Sequence, residues 1–255
     1  MASNEQRWGL SLCAAAVLAC AGTASAYEAG TVTDGATVTG SIKFVGTQPS
    51  PKLFELRRAP DKAYCGALSD GSGYRVMREV SVNASGGLQD VVIMVEGVRS
   101  GKPFELIETK VEANVCQFLP FVSVVRNDHP MTIKNMDPVS HDLQVYERDG
   151  EHVWIMFHRP ALTRTGTTDQ IKFTGQRREM AMQCGMHPYM QGHGIAVDNP
   201  YYAISDREGA FVISDLPAGT YVIRAWHPTL GTKQQEVTVD AKGAALLEFV
   251  FNAHE

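Results

Sequence analysis

After Tyr27 the sequence has no apolar run near the roughly 20 residues needed to cross a bilayer. It has no block of like charge either. A net charge of -5 is spread along the chain, so neither nucleic acid nor an acidic membrane surface is indicated as a partner. No segment beyond residue 26 sustains a helical apolar period. Phosphate-binding glycine loops, a Ser/His/Asp arrangement, zinc-protease motifs and Cys-x-x-Cys-His are all missing, and the chain is not expected to be an enzyme. Cysteine is scarce at five residues, and two of these, Cys13 and Cys20, fall in the first 26.

Those first residues hold what the rest lacks. A single basic residue, Arg7, precedes "WGLSLCAAAVLACAGTASA", whose apolar core is too short to span a membrane. Ala24 and Ala26 stand where a signal peptidase reads A-x-A, so residues 1–26 are expected to be a signal peptide and the protein periplasmic or secreted. A rival reading takes "VLAC" as a lipobox, with a lipid anchor at Cys20. The A-x-A site is preferred because it follows the apolar core at the usual distance. Three cysteines remain, and an odd number in an exported chain leaves one thiol unpaired, on a metal, or bridged to another chain. Cys65 and Cys116, both upstream, are expected to form a disulfide, which leaves Cys184. In an oxidising compartment a free thiol is a liability unless something occupies it. The sequon at Asn83 is read as a chance match.

Nearly every remaining segment reads as strand. "ATVTGSIKFVG" alternates β-branched with small or polar residues, and "GLQDVVIMVEGV" is a short apolar run between glycines. "LPFVSVVRNDHPMTIKNMDP", "HDLQVYERDG", "TDQIKFTG", "REMAMQC" and "GIAVDNP" are each short and bounded by turn chemistry, and the pattern continues to "QQEVTVDAKGAALLEFVFN". The fold class is therefore all-β, a sandwich or barrel. "TQPSPKLFELRRAPDKAYCG" reads as a long irregular connection carrying Cys65 on the surface.

Within this pattern "MQCGMHPYMQGHG" puts a thiol, an imidazole and a thioether at three-residue steps: Cys184, His187 and Met190. Cys184 ends a strand and the other two lie in the following loop, so all three can reach one ion. His141, at the start of "HDLQVYE", is the candidate fourth ligand. Two imidazoles, a thiolate and a weak thioether are the donor set of a blue-copper electron-transfer site. Zinc fits less well, because a thioether is a poor zinc ligand and structural zinc prefers a closed Cys/His set. His187, between Met186 and Pro188, is expected to present an apolar rim to solvent and to redox partner proteins.

"SHDLQVY", "CGMHPYM" and "QGHGIAVD" together resemble the copper-binding half of the cupredoxins, with the short Cys-x2-His-x2-Met loop of amicyanin. The resemblance covers about residues 115–199. It implies a Greek-key sandwich with one mononuclear type-1 copper, held by His141, Cys184 and His187 with Met190 axial. The family usually has Asn after the first ligand histidine, tying the two ligand loops together. Here Asp142 stands there, with a backbone N–H that can still reach the thiolate. The flanks, "AISDREGAFVISDLPAGTYVIRAWHPTLG" with "TVTGSIKFVG" and "VVIMVEG", are similar to the carboxypeptidase regulatory-like, or transthyretin-like, sandwich. The implied organisation is that sandwich over 27–114 and 200–255, with the cupredoxin inserted as 115–199.

Other residues invite competing readings. Met180, Met182, Met186 and Met190 suit either a packed core or a Cu(I) chaperone or store. His193 is expected to be solvated at a strand start, and His227 to pack beside Trp226. His129, His152 and His158 form no His-x-His pair, which argues against the catalytic copper clusters of multicopper oxidases and nitrite reductases. A binuclear copper centre would need a second cysteine close by. A structural adaptor with a vestigial metal site is the third reading.

Overall fold

The computed structural model describes residues 27–253 apart from 106–107, 128, 151, 163–164 and 174–178. The export segment, with the alternative anchor Cys20, lies outside the described residues. Among the described residues no helix is long and apolar enough to cross a membrane.

The all-β expectation holds. Two sheets form one sandwich from strands near both ends of the chain. In the first, Ala36–Val45 is flanked by Ala210–Leu216, antiparallel, and by Ala244–Asn252, parallel from Thr37↔Ala244 to Val45↔Asn252. In the second, Tyr202–Ile204, Val92–Val95, Gly219–His227 and Gly231–Val239 pair antiparallel in that order. Period-two alternation fills the space between them. Phe211 and Ile213 point into the core with Val38, Ile42, Phe249 and Phe251, while Val212 faces out.

The second sandwich carries the candidate ligands. Its four-stranded sheet runs Thr168–Lys172, Pro130–Asn135, Thr109–Ala113 and Phe118–Leu119. Its five-stranded sheet runs His152–Leu162, His141–Asp149, Glu179–Cys184, Gln191–Val197 and Val122–Arg126. Thr109–Ala113 falls in the stretch 27–114 of the sequence-based division, yet it pairs parallel with Pro130–Asn135 in this inner sandwich. The strand Glu179–Cys184 places Met180 opposite Gly194 and Met182 opposite Gly192. A side chain on either glycine would run into those thioethers, so each methionine fills the space its cross-strand glycine leaves open.

The two sandwiches share an apolar seam. Val92, Met94 and Trp226 from one meet Val122, Val124, Ile195 and Val197 from the other. Val92–Val95 is therefore covered on both faces, with Ile93 and Val95 turned into the outer core. That is why "VVIMV" reads as an unbroken apolar run rather than an alternating one.

One expectation is overturned. Within the stretch read as an irregular connection, Lys52–Glu55 forms a strand that pairs with Tyr74–Met77 beyond it, around the short helix Lys62–Cys65. Leu56, Cys65 and Met77 are buried in the inner core. Burying Leu56 and Met77 contributes roughly 2 kcal/mol each. Cys65 is not on the surface: its exposure is 0%, and it is bonded to Cys116 with an S–S distance of 2.00 Å. The physical reason is that the polar residues of this segment face solvent on one side of a cap whose apolar side closes one end of the inner sandwich.

Candidate metal centre

Cys184 ends its strand pointing inward, and His141 begins the neighbouring strand, paired to it through Leu143↔Cys184. The loop after Cys184 returns tightly. Met190 N–H donates to the His187 carbonyl at 2.8 Å, and Cys184 N–H donates to the Met190 carbonyl at 3.2 Å. This turn brings His187 back over Cys184. His141 Nδ1, His187 Nδ1 and Cys184 Sγ stand 3.3, 3.5 and 3.9 Å apart. A triangle with those sides has its corners about 2.1 Å from its centre, close to the length of a metal–imidazole bond. The donors therefore suit one small ion equidistant from all three. All three side chains are buried, as is Met190, which packs in the same core.

The outer nitrogen of His141 settles which tautomer that ring adopts. His141 Nε2 donates to Asp137 Oδ2 at 2.8 Å, and both side chains are fully buried. His187 Nε2 lies 3.3 Å from Asp61 Oδ2. With the His141 Nε2–H on a carboxylate, its Nδ1 lone pair faces the thiol, the pairing seen where histidines hold metals, and the Asp61 carboxylate beside His187 Nε2 favours the same arrangement there. Burial, above all, lowers the pKa of both rings, opposed at His141 by Asp137 and at His187 by Asp61; His141 adds to the lowering at His187. Burial also pushes the Cys184 thiol up, offset by backbone N–H groups led by that of Asp142. Soft-metal binding would displace that proton.

Asp137 is a hub that sequence reasoning missed. Its Oδ1 accepts from Tyr64 Oη at 2.9 Å and from Val115 N–H at 2.5 Å. Its Oδ2 accepts from Cys116 N–H at 2.8 Å as well as from His141. Val115 and Cys116 both adopt positive φ, 49° and 54°, a strained pair for non-glycine residues that aims two successive N–H groups at one carboxylate. In the sequence Asp137 sits before a proline and reads as a turn residue. Its one signal is that it lies four residues before a candidate ligand histidine.

Asp142 does by backbone what the sequence left open. Its N–H donates to Cys184 Sγ at 3.3 Å, and its carbonyl accepts from Gly185 N–H at 2.8 Å, tying the two ligand loops. Its carboxylate turns away to His158 Nε2 at 2.9 Å and Gln144 Nε2 at 3.1 Å. A side chain at Gly185 would meet that carboxylate and the Gln144 amide, which would have to swing aside.

The expected solvent rim at His187 is corrected. Its exposure is 0%. The cap covers it, with Cys65 Sγ 3.8 Å from Nε2 and the Tyr189 ring tilted against it at 5.7 Å. Arg75 holds the cap down, donating to the Cys116 carbonyl at 3.1 Å and lying 5.5 Å over the Tyr189 ring. His193, expected to be solvated, is half-buried inside its strand against Phe121, and burial lowers its pKa to about 4. His227 is fully buried beside Trp226, and its Nδ1 accepts the N–H groups of Thr229 and Leu230.

No protein-family model matches the chain, and no curated protein matches it by sequence. Solved structures do show a partial likeness. A copper-containing nitrite reductase from Thermus scotoductus is 23% identical over 38% of this chain and 24% of its own, with a TM-score of 0.31. A purple cupredoxin from Nitrosopumilus maritimus is 18% identical over 35% of this chain and 99% of its own, TM-score 0.29. Amicyanin from Paracoccus versutus is 18% identical over 41% and 97%, TM-score 0.29. The chain spans about a quarter of the nitrite reductase. At these values the likeness is one of β-sandwich shape over part of the chain, and the chemistry rests on this chain's own residues.

Proposed function

We propose that the protein is an exported type-1 copper protein that carries single electrons between redox partner proteins and catalyses no reaction of its own. The observation that carries this reading is the triangle of His141 Nδ1, His187 Nδ1 and Cys184 Sγ, each corner buried, with the outer nitrogen of His141 bonded to Asp137 and that of His187 3.3 Å from Asp61. Copper bound there would supply a one-electron couple, since imidazoles suit the oxidised ion and thiolate and thioether the reduced one.

The protein's own part is to hold the donors fixed while charge changes. The strand ends and the tight 184–190 turn fix Cys184 and His187, the two carboxylates fix the ring tautomers, and the Asp142 N–H steadies the sulfur. The cap excludes water from His187. Met190 lies in the dry core on the same turn as the thiol, in keeping with a weak axial role. The Cys65–Cys116 disulfide fits an oxidising compartment, periplasmic or extracellular.

A chaperone or storage role drew on the run of methionines. Met180, Met182 and Met190 are buried, and Met186 alone of the four is exposed, so the run forms no surface of thioethers. A titration of the purified protein with Cu(II), followed by visible absorption, decides between the readings. The carrier requires an intense thiolate-to-copper band that disappears in Cys184→Ser while the variant stays folded. Uptake of Cu(I) alone without the band would favour storage, and no uptake would leave the adaptor.

A further inference from the structure

Asp61 is the residue before the helix Lys62–Cys65, at the position where an aspartate ordinarily caps the helix with its side chain. It makes no such bond. Its backbone is held in the left-handed region at φ 50°, a conformation that disfavours residues other than glycine and, more mildly, Asn and Asp. The carboxylate instead reaches across the cap to His187 Nε2, 3.3 Å away. The Asp61 carbonyl still accepts the N–H groups of Tyr64 and Cys65, so the backbone serves the helix while the side chain serves the histidine.

This arrangement changes what lies at the outer edge of His187. The ring is fully buried, with the Cys65 sulfur and the carboxylate, about one-third exposed, both beside its Nε2. Asp61 is thus the polar group standing between this imidazole and solvent. The cap that presents it is anchored independently, by the Cys65–Cys116 bond and by Tyr64 Oη on Asp137. The cap therefore reaches both histidines, His187 directly and His141 through Asp137.

We propose that Asp61 is a positioning residue for His187: it takes the Nε2–H, turns Nδ1 toward Cys184 and His141, and sets a negative charge against the outer edge of the ring. The inference rests on the copper reading for its redox consequence, but not for the tautomer. An acceptor carboxylate makes the imidazole a stronger donor, and its charge favours the more positive state of any ion held there. The carbonyl of Pro60, which like Asp61 favours a proton on the His187 ring, is the rival explanation for the ring's orientation.

Two variants of the full chain separate these roles. Asp61→Asn keeps an acceptor oxygen and tolerates the left-handed backbone but loses the charge. Asp61→Gly relaxes the backbone and loses the acceptor. Nitrogen NMR of the metal-free protein reads the His187 tautomer without any copper. The expectation is Nε2–H in the wild type and in Asp61→Asn, and a mixture of tautomers in Asp61→Gly. With Cu(II) added, Asp61→Gly should bind about 10- to 100-fold more weakly, and Asp61→Asn should shift the Cu(II)/Cu(I) potential upward. A wild-type tautomer and unchanged Cu(II) affinity in Asp61→Gly would assign the orientation to Pro60 and overturn the proposal. An unmoved potential in Asp61→Asn would overturn its electrostatic half. Should the wild type take up no Cu(II), the copper reading fails and the tautomer comparison alone decides the role of Asp61.

Discussion

Replacing Asp137 by Asn changes one atom and disturbs four hydrogen bonds. Each carboxylate oxygen now serves two donors: Tyr64 Oη and Val115 N–H on Oδ1, Cys116 N–H and His141 Nε2 on Oδ2. An amide offers one acceptor oxygen and one donor nitrogen. With its nitrogen in the Oδ1 position, the Tyr64 hydroxyl can rotate to accept, but the Val115 N–H faces a donor. With its nitrogen in the Oδ2 position, the Cys116 N–H is orphaned and His141 must move its proton to Nδ1, the atom that faces the thiol. Either way one backbone N–H loses its partner, at about 1–3 kcal/mol, and the surviving bonds lose charge assistance worth about 1 kcal/mol each. The sum is on the order of 3–5 kcal/mol.

Urea unfolding of the metal-free protein measures that loss, and competition against a Cu(II) chelator measures the effect on the site, expected to be a 10- to 100-fold weakening. Tyr64→Phe is the control. It removes one half-exposed donor from an oxygen that keeps another, so it should cost about 1 kcal/mol and leave copper affinity alone. An Asp137→Asn protein within 0.5 kcal/mol of the wild type, a margin typical of inconsequential surface changes, would refute the hub. Unchanged Cu(II) affinity would refute its link to His141.

Three further outcomes are expected. Removing the Cys65–Cys116 bond, as the double alanine variant, frees a loop with a sequence separation of 51 and should lower stability by about 4 kcal/mol on the chain-entropy account; a loss below about 1 kcal/mol in chemical denaturation would contradict it. A chain ending at residue 199 leaves Ala36–Val45 and Val92–Val95 without Ala244–Asn252 and Gly219–His227, and should expose apolar edges and aggregate; a monomeric, cooperatively unfolding 27–199 would contradict the shared sandwich. Burial lowers the His227 pKa from 6.5 to about 4, so as pH falls through that window the unfolded chain takes the proton first. The His227 share of stability should be full above pH 6.5 and lost toward pH 4, up to roughly 3 kcal/mol, alongside a share from His193 in the same window, and His227→Asn, which keeps an acceptor for the turn, should make the slope shallower in pH-dependent denaturation; an unchanged slope would assign the acid sensitivity elsewhere.

The strands were legible because alternation is a local property, written in residues two apart. "AFVISDL" puts Phe211 and Ile213 inward in any context that covers one face, and no distant partner need be known. The candidate donors stood out for a related reason: Cys184, His187 and Met190 fall within one turn, and few side chains share their chemistry. The cap was not legible. Leu56, Cys65 and Met77 are too widely and irregularly spaced to show a period, and Arg57, Arg58 and Lys62 between them look like a solvated linker. What buries those three residues lies far along the chain, in strands around residues 111–145 and 171–196. Asp61 and Asp137 failed to stand out for the same reason. An aspartate beside a proline reads as turn chemistry until the group across from it is known.

That difference bears on how the site is put together. The stretch 115–199 contains all four candidate ligands, yet Asp61, Tyr64 and Cys65 come from the preceding stretch, as does the strand Thr109–Ala113. Within 115–199, His141 keeps Asp137, but Asp137 loses the Tyr64 hydroxyl and the disulfide that holds the Cys116 N–H in place. His187 loses both the carboxylate and the sulfur that cover it. Ligand identity is thus local, while ligand orientation and dryness are supplied from a distance. The division implied by the two family resemblances separates the candidate donors from the groups that aim them.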